Sequence, residues 1–185
     1  MVRAFVAVEA SNPRLTQTIR EIQRELSALP GRISMVDPNR VHITLKFLGE
    51  VSERRISEVR EKLSRINQKK FVYRVDGMGF FPSGRRPRVV FLDVTEGRET
   101  LIDLAGKVED AMQEVGFPRE RRPFSPHVTI ARVKTPLFKP IPERVRRMGE
   151  DIGIDIDVEE VKLKKSTLTP KGPLYTDIYV VRLME

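Results

Sequence analysis

Only two histidines occur in the chain, and each opens the same kind of tetrapeptide, His42-Ile43-Thr44-Leu45 and His127-Val128-Thr129-Ile130. Imidazole titrates near pH ~6.5, so at working pH one such group can be neutral while the other holds a proton. The pair supplies a general base and a general acid together, worth roughly 10² to 10⁴ in rate when each nitrogen reaches its proton. The threonine hydroxyls can donate to non-bridging phosphoryl oxygens. Arg132, five residues after His127, carries a guanidinium that can clamp the same oxygens. This set suits attack on a phosphodiester without a metal. A lone His-x-Thr would carry no such meaning, because a strand histidine is commonly a solvated or core side chain. Two copies that use every histidine are harder to explain that way. Zinc is disfavoured, since two imidazoles without cysteine and without a His-Glu-x-x-His helix form no recognisable site.

Side chains alternate faces in an extended chain, so each tetrapeptide places His and Thr on one face and its aliphatic residues on the other. The pattern predicts motif strands from Val41 to Leu48, closed by Gly49, and from His127 onward. Residues 1–8 alternate as a strand with Val2, Ala4, Val6 and Val8 on one side. Ser11-Asn12-Pro13 starts a helix, an oxygen cap followed by a proline that the first turn tolerates. Its buried stripe is Leu15, Ile19, Ile22, Leu26 and Leu29, and Pro30-Gly31 ends it. A second helix after Ser52 carries Ile56, Val59, Leu63 and Ile66, and a third, about Glu99 to Val115, carries Leu101, Leu104, Val108, Met112 and Val115. Strands from Phe71 and over Val89–Val94 flank a basic connection at 80–87, a short helix lies around 142–148, and the tail reads as two strands, 155–168 and 174–183. Thirteen positions separate Leu29 from His42 and twelve separate Val115 from His127, which argues for a duplicated unit about a pseudo-twofold axis.

A chain of 185 residues holds one full-sized domain or two packed lobes without staples. No stretch reads as a flexible linker, so residues 1–185 are taken as a single bilobal domain: a first motif lobe at about 1–70, a second at about 71–150, and strands at 151–185 completing the sheets. Absence of cysteine removes disulfides and thiolate chemistry and agrees with a reducing cytoplasm, the expected setting. The apolar run at 4–8 is too short for a secretory signal, and nothing approaches the roughly 20 apolar residues of a membrane span, so no membrane partner is expected. With 34 Lys+Arg against 26 Asp+Glu the net charge is +8, which attracts polyanions; nucleic acid and phosphorylated small molecules lead the candidate partners. A charge-rich surface of this kind also suits heat-stable proteins.

The two His-x-Thr-x motifs, with Arg3–Val8, Leu45–Val51, Arg122–His127 with Arg132, and Ser166–Tyr175, resemble the two-histidine phosphoesterase superfamily. Within it the chain is similar to the RNA 2′,3′-cyclic phosphodiesterases, also called 2′-5′ RNA ligases. The resemblance implies an α+β fold of two pseudo-symmetric lobes, each an antiparallel sheet with helices outside, and an active-site cleft between the sheets. It implies opening of a terminal ribose 2′,3′-cyclic phosphate to a 2′-phosphate, without metal or cofactor. His42 would be the proton donor and His127 the proton acceptor, with Thr44 and Thr129 on the phosphoryl oxygens and Arg132 assisting. The residues themselves leave donor and acceptor open, because the motifs are near copies. Phe124 and Phe47 are candidates for base stacking, and the arginines at 85–88 and 119–122 for sequence-independent contacts to RNA phosphates. The expected form is a monomer. Joining of ends such as tRNA halves, small cyclic nucleotides as substrates, and a non-catalytic RNA-binding module are the alternative readings.

Overall fold

The computed structural model describes every residue except Gly84, Arg85, Pro136, Phe138, Lys139 and Lys171, so the Arg85 part of the expected basic connection and the Lys171 part of the 166–175 turn lie outside the described residues. The described elements, in order, are β1 (Val2–Glu9), α1 (Pro13–Ser27), β2 (Ile33–Met35), β3 (His42–Val51), α2 (Glu53–Leu63), β4 (Phe71–Phe81), β5 (Val89–Val94), α3 (Arg98–Glu114), β6 (His127–Val133), α4 (Glu143–Arg147), β7 (Ile154–Val158), β8 (Glu160–Thr169) and β9 (Gly172–Arg182). They build two antiparallel sheets in an α+β, bilobal arrangement, ordered β3-β1-β8-β9 and β2-β6-β5-β4-β7.

Local chemistry fixes the helices where the sequence placed them. The Asn12 side chain accepts from the amides of Arg14 (2.9 Å) and Leu15 (3.2 Å), with Pro13 in the first turn. Ser52 caps α2 through the Arg55 amide. Leu15, Ile19, Ile22 and Leu26 of α1 and Leu101, Leu104, Val108 and Met112 of α3 are buried stripes. Leu29, Ile66 and Val115 lie past the helix ends and are only half-buried.

Strand β3 does not close at Gly49 but runs on to Val51, paired with β1 as far as Val2. Three further details differ from the sequence reading. The tail forms three strands, because the chain breaks at Glu159 and sends β7 to one sheet and β8 with β9 to the other. Strand β2, unread in the sequence, pairs Ile33 with Val133 and Met35 with Ala131, crossing from the first half into the second sheet. Strand β1 does not alternate between covered and open faces: Ala4 to Val8 are all buried. Ala4, Val6 and Val8 belong to the apolar cluster behind the sheets, while Phe5 and Ala7 are covered on the opposite face, where the motifs lie.

The helices brace crosswise. Helix α1, which follows β1, packs on β2 and β6; α3, which follows β5, packs on β3. Each motif strand is therefore backed by a helix that belongs to the other half of the chain.

Candidate active site

Strands β3 and β6 touch across the two sheets and repeat one another residue by residue. Each starts on its histidine, and over seven residues the burial sequence is identical: half-buried His, buried aliphatic, half-buried Thr, two buried residues, one exposed, one buried. A β-bulge after the threonine sets this pattern. In the β1 register Ala7 faces Thr44 and Val6 faces Lys46, which leaves Leu45 unopposed; in the β5 register Phe91 faces Thr129 and Val90 faces Ala131, which leaves Ile130 unopposed. The extra residue shifts the alternation, so that the sixth position of each strand returns to the face of His and Thr. That position is Phe47 in β3 and Arg132 in β6, both exposed.

Helix side chains hold the bulged segments from behind. The buried Gln23 of α1 donates to the Ile130 carbonyl (2.9 Å) and the Val36 carbonyl (2.6 Å). The buried Lys46 of β3 donates to Glu109 of α3 (2.8 Å) and to the Pro118 carbonyl (2.9 Å), at the start of the loop that leads to His127. Neither residue was singled out in the sequence, where a polar side chain within an amphipathic helix or strand reads as a solvated one.

Each imidazole is fixed by the carbonyl two residues before it. The Nδ1 of His42 lies 3.0 Å from the Arg40 carbonyl and the Nδ1 of His127 lies 2.7 Å from the Ser125 carbonyl. A carbonyl only accepts, so each Nδ1 carries hydrogen and each Nε2 is left to exchange a proton. Two aromatic rings flank each imidazole. Phe5 stacks on His42 at 5.0 Å and Tyr175 meets it edge-on at 5.2 Å; Phe91 and Phe81 each meet His127 at 5.1 Å and stack on one another at 4.3 Å. Glycine at 79 makes that second cage possible, because a Cβ there would lie 2.2 Å from the Phe91 ring.

Burial among these rings lowers both imidazoles below their ordinary value. The carbonyl bonds oppose the shift in each case. Glu9 also raises His42, Asp93 also raises His127, and the Arg132 charge lowers both. One guanidinium thus bears on both imidazoles. Phe124 is half-buried against the core, whereas Phe47 is 61% exposed, its ring 6.2 Å from Phe5. Arg119 is engaged with Asp110 and Gln113, while Arg86, Arg88, Arg121 and Arg122 are exposed. Among the described residues no group of three or more His, Asp or Glu side chains is arranged to hold a metal ion. Two surface hollows, of about 320 and 370 Å³, lie at the start of α1 and between α2 and α3 and contain no motif residue.

A family model described as LigT-like phosphoesterase matches this sequence twice, over residues 8–91 and 92–175, each match containing one motif. The chain belongs to the LigT-like phosphoesterase family. Among proteins of known annotation it is similar to the RNA 2′,3′-cyclic phosphodiesterase of Archaeoglobus fulgidus, 36% identical over 97% of this chain and 99% of that protein. It is likewise similar to the RNA 2′,3′-cyclic phosphodiesterase of Methanothermobacter thermautotrophicus, 38% identical over 98% and 99%. Among solved structures it resembles TT0787 of Thermus thermophilus at a TM-score of 0.79 and 29% identity, covering 97% of each chain. It also resembles E. coli LigT complexed with 3′-AMP at a TM-score of 0.77 and 25% identity, covering 100% of this chain and 99% of that one. The twofold match of the LigT-like model coincides with the paired bulges and paired carbonyl-anchored imidazoles.

Proposed function

We propose that this LigT-like phosphoesterase hydrolyses the terminal 2′,3′-cyclic phosphate of RNA to a 2′-phosphate, by proton transfer between two imidazoles. The observation that carries the reading is the pair of equivalent histidines, each with Nδ1 anchored and Nε2 open, under the influence of one arginine. Neutral His127 takes a proton from water through Nε2 as the water oxygen attacks phosphorus. The bond from phosphorus to the ribose 3′-oxygen breaks, and His42 gives its Nε2 proton to that oxygen. Both imidazoles exchange charge states, and solvent restores them. Thr44 and Thr129 donate to the non-bridging oxygens, where Arg132 adds a charge-assisted contact. Because the acid and the base are both protein groups, the proposed step calls for no metal. The exposed Phe47 ring is the better-presented stacking surface for the terminal base, and Phe124 supports the loop before His127. On this reading the chain acts in the cytoplasm as one monomeric, bilobal unit on RNA fragments.

The test is an oligonucleotide ending in a 2′,3′-cyclic phosphate, incubated with EDTA. Wild-type protein yields a 2′-phosphate end, and His42→Ala and His127→Ala each lower kcat by roughly 10² or more. Full activity in either variant overturns the reading. Tight, salt-sensitive binding without turnover favours an RNA-binding module, and joined ends with a 5′-hydroxyl partner favour the reverse, ligating direction.

A further inference from the structure

Each motif histidine has a carboxylate directly opposite it on the neighbouring strand. The register pairs Glu9 with His42 and Asp93 with His127, and opposed residues of an antiparallel pair share a face with Cβ atoms about 4.5–5.5 Å apart. Beyond that first neighbour the two sheets differ. In the first sheet the row continues across two more strands: Lys164 of β8 donates to Glu9 at 2.5 Å and to Asp177 of β9 at 2.6 Å. Lys164 is 7% exposed. Lys162 supports the same carboxylates, 3.1 Å from Asp177 and 3.6 Å from Glu9. Four adjacent strands therefore present His42, Glu9, Lys164 and Asp177 in order, and the signs alternate throughout when His42 is protonated.

In the second sheet the row stops after Asp93. The next strand offers Gly77 beside it, and the one cation on Asp93 among the described residues is Arg98 from α3 at 3.2 Å, which also donates to Ser125. The Asp93 side chain is 47% exposed against 27% for Glu9, so water screens it more strongly. The other charged groups do not reverse this contrast. Arg132 faces both imidazoles, Arg40 is paired with Asp37, and Glu160, which is 3.8 Å from Lys162, meets the exposed Arg182 on the outer edge. Tyr175 adds only a ring edge to His42.

We propose that Glu9 is a positioning residue that commits His42 to the proton-donor role, the row of Glu9, Lys164 and Asp177 forming a fixed counter-charge that Asp93 does not offer His127. The proposal rests on the phosphodiesterase reading above and deepens it, since the motifs alone leave donor and acceptor interchangeable. Of the charges acting on His42 the upward pull of Glu9 ranks first, ahead of the downward pushes of Lys164 and Arg132, whereas on His127 the downward push of Arg132 outranks Asp93.

With two histidines in the chain, ¹⁵N-histidine NMR follows each imidazole separately, and His127→Gln identifies the signals of His42. Glu9→Gln is expected to lower the His42 titration midpoint by roughly one pH unit and leave that of His127 in place. In kcat/KM for the cyclic-phosphate oligonucleotide the high-pH limb moves to lower pH by the same amount, about a tenfold loss on the alkaline side. Glu9→Asp retains most of the wild-type profile. Asp177→Asn, which leaves the β1–β3 pair untouched, moves His42 in the same direction and covers the case in which Glu9→Gln does not fold. An active wild type whose His42 midpoint is indifferent to both substitutions, or a Glu9→Gln variant that moves the low-pH limb instead, overturns the proposal alone. Wild-type protein that opens no cyclic phosphate overturns the reaction, and the donor role with it.

Discussion

Phe47 and Arg132 occupy the same place in the two motif strands, and there the repeat stops repeating. One presents a ring, the other a guanidinium, so on the proposed reading a nucleotide would have one way round in a site that is otherwise twofold. Phe47→Ala is expected to raise KM about tenfold with kcat little changed, since stacking of one base is worth ~1–3 kcal/mol. Arg132→Lys keeps the charge but loses the fork, and a fall in kcat/KM of roughly ten- to a hundredfold is expected. Steady-state kinetics on the same oligonucleotide separates the two. The caged imidazoles also mark stability. Both are held below their ordinary value, so as pH falls through that value the unfolded chain binds more protons than the folded one. Stability present above the unfolded value of ~6.5 is therefore lost as pH falls. Urea unfolding should show that loss in wild type and a flatter dependence in a His42→Gln/His127→Gln double variant.

At the scale of strands and helices, the site depends on contacts far from the substrate. Gly79→Ala drives a methyl group into the Phe91 ring beneath His127, with an expected cost of about 1–3 kcal/mol in urea unfolding and a matching loss of kcat. Lys46→Met leaves Glu109 without its buried partner, a loss of roughly 3 kcal/mol, and a Lys46→Met/Glu109→Leu double variant should recover much of it. Helices α1 and α3 were legible because their apolar stripes are local, as is the Asn12 cap of α1. The bulges at Leu45 and Ile130 were not, since strand alternation shows them only against a partner's register. Glu9 and Asp93 left one trace: they precede His42 and His127 by 33 and 34 positions, an offset visible once the repeat is aligned. Lys46 and Gln23 left none, because the contacts that bury them reach Glu109 and Ile130, more than sixty positions away.

For the whole molecule, the +8 charge and the exposed Arg121 and Arg122 predict a substrate-length effect. For an RNA that contacts two phosphates beyond the cyclic one, log(kcat/KM) should fall against log[salt] with a slope about −1.4 steeper than for a cyclic mononucleotide; equal slopes would show that the arginines do not touch RNA. The duplicated order of elements could be read from matched spacings around His42 and His127, and the two sheets followed from the family resemblance of the motifs. The partition of the tail between sheets and the crossing of β2 could not, since both depend on long-range pairing across Glu159 and across the two halves. The crosswise bracing carries a consequence for biosynthesis. A nascent chain that has made only its first half holds His42 without the helix that backs its strand, and one that has lost its first half holds His127 without Gln23 behind it. Each motif strand thus gains its backing only when the two halves fold together, and turnover is expected to gauge the molecules in which they have done so.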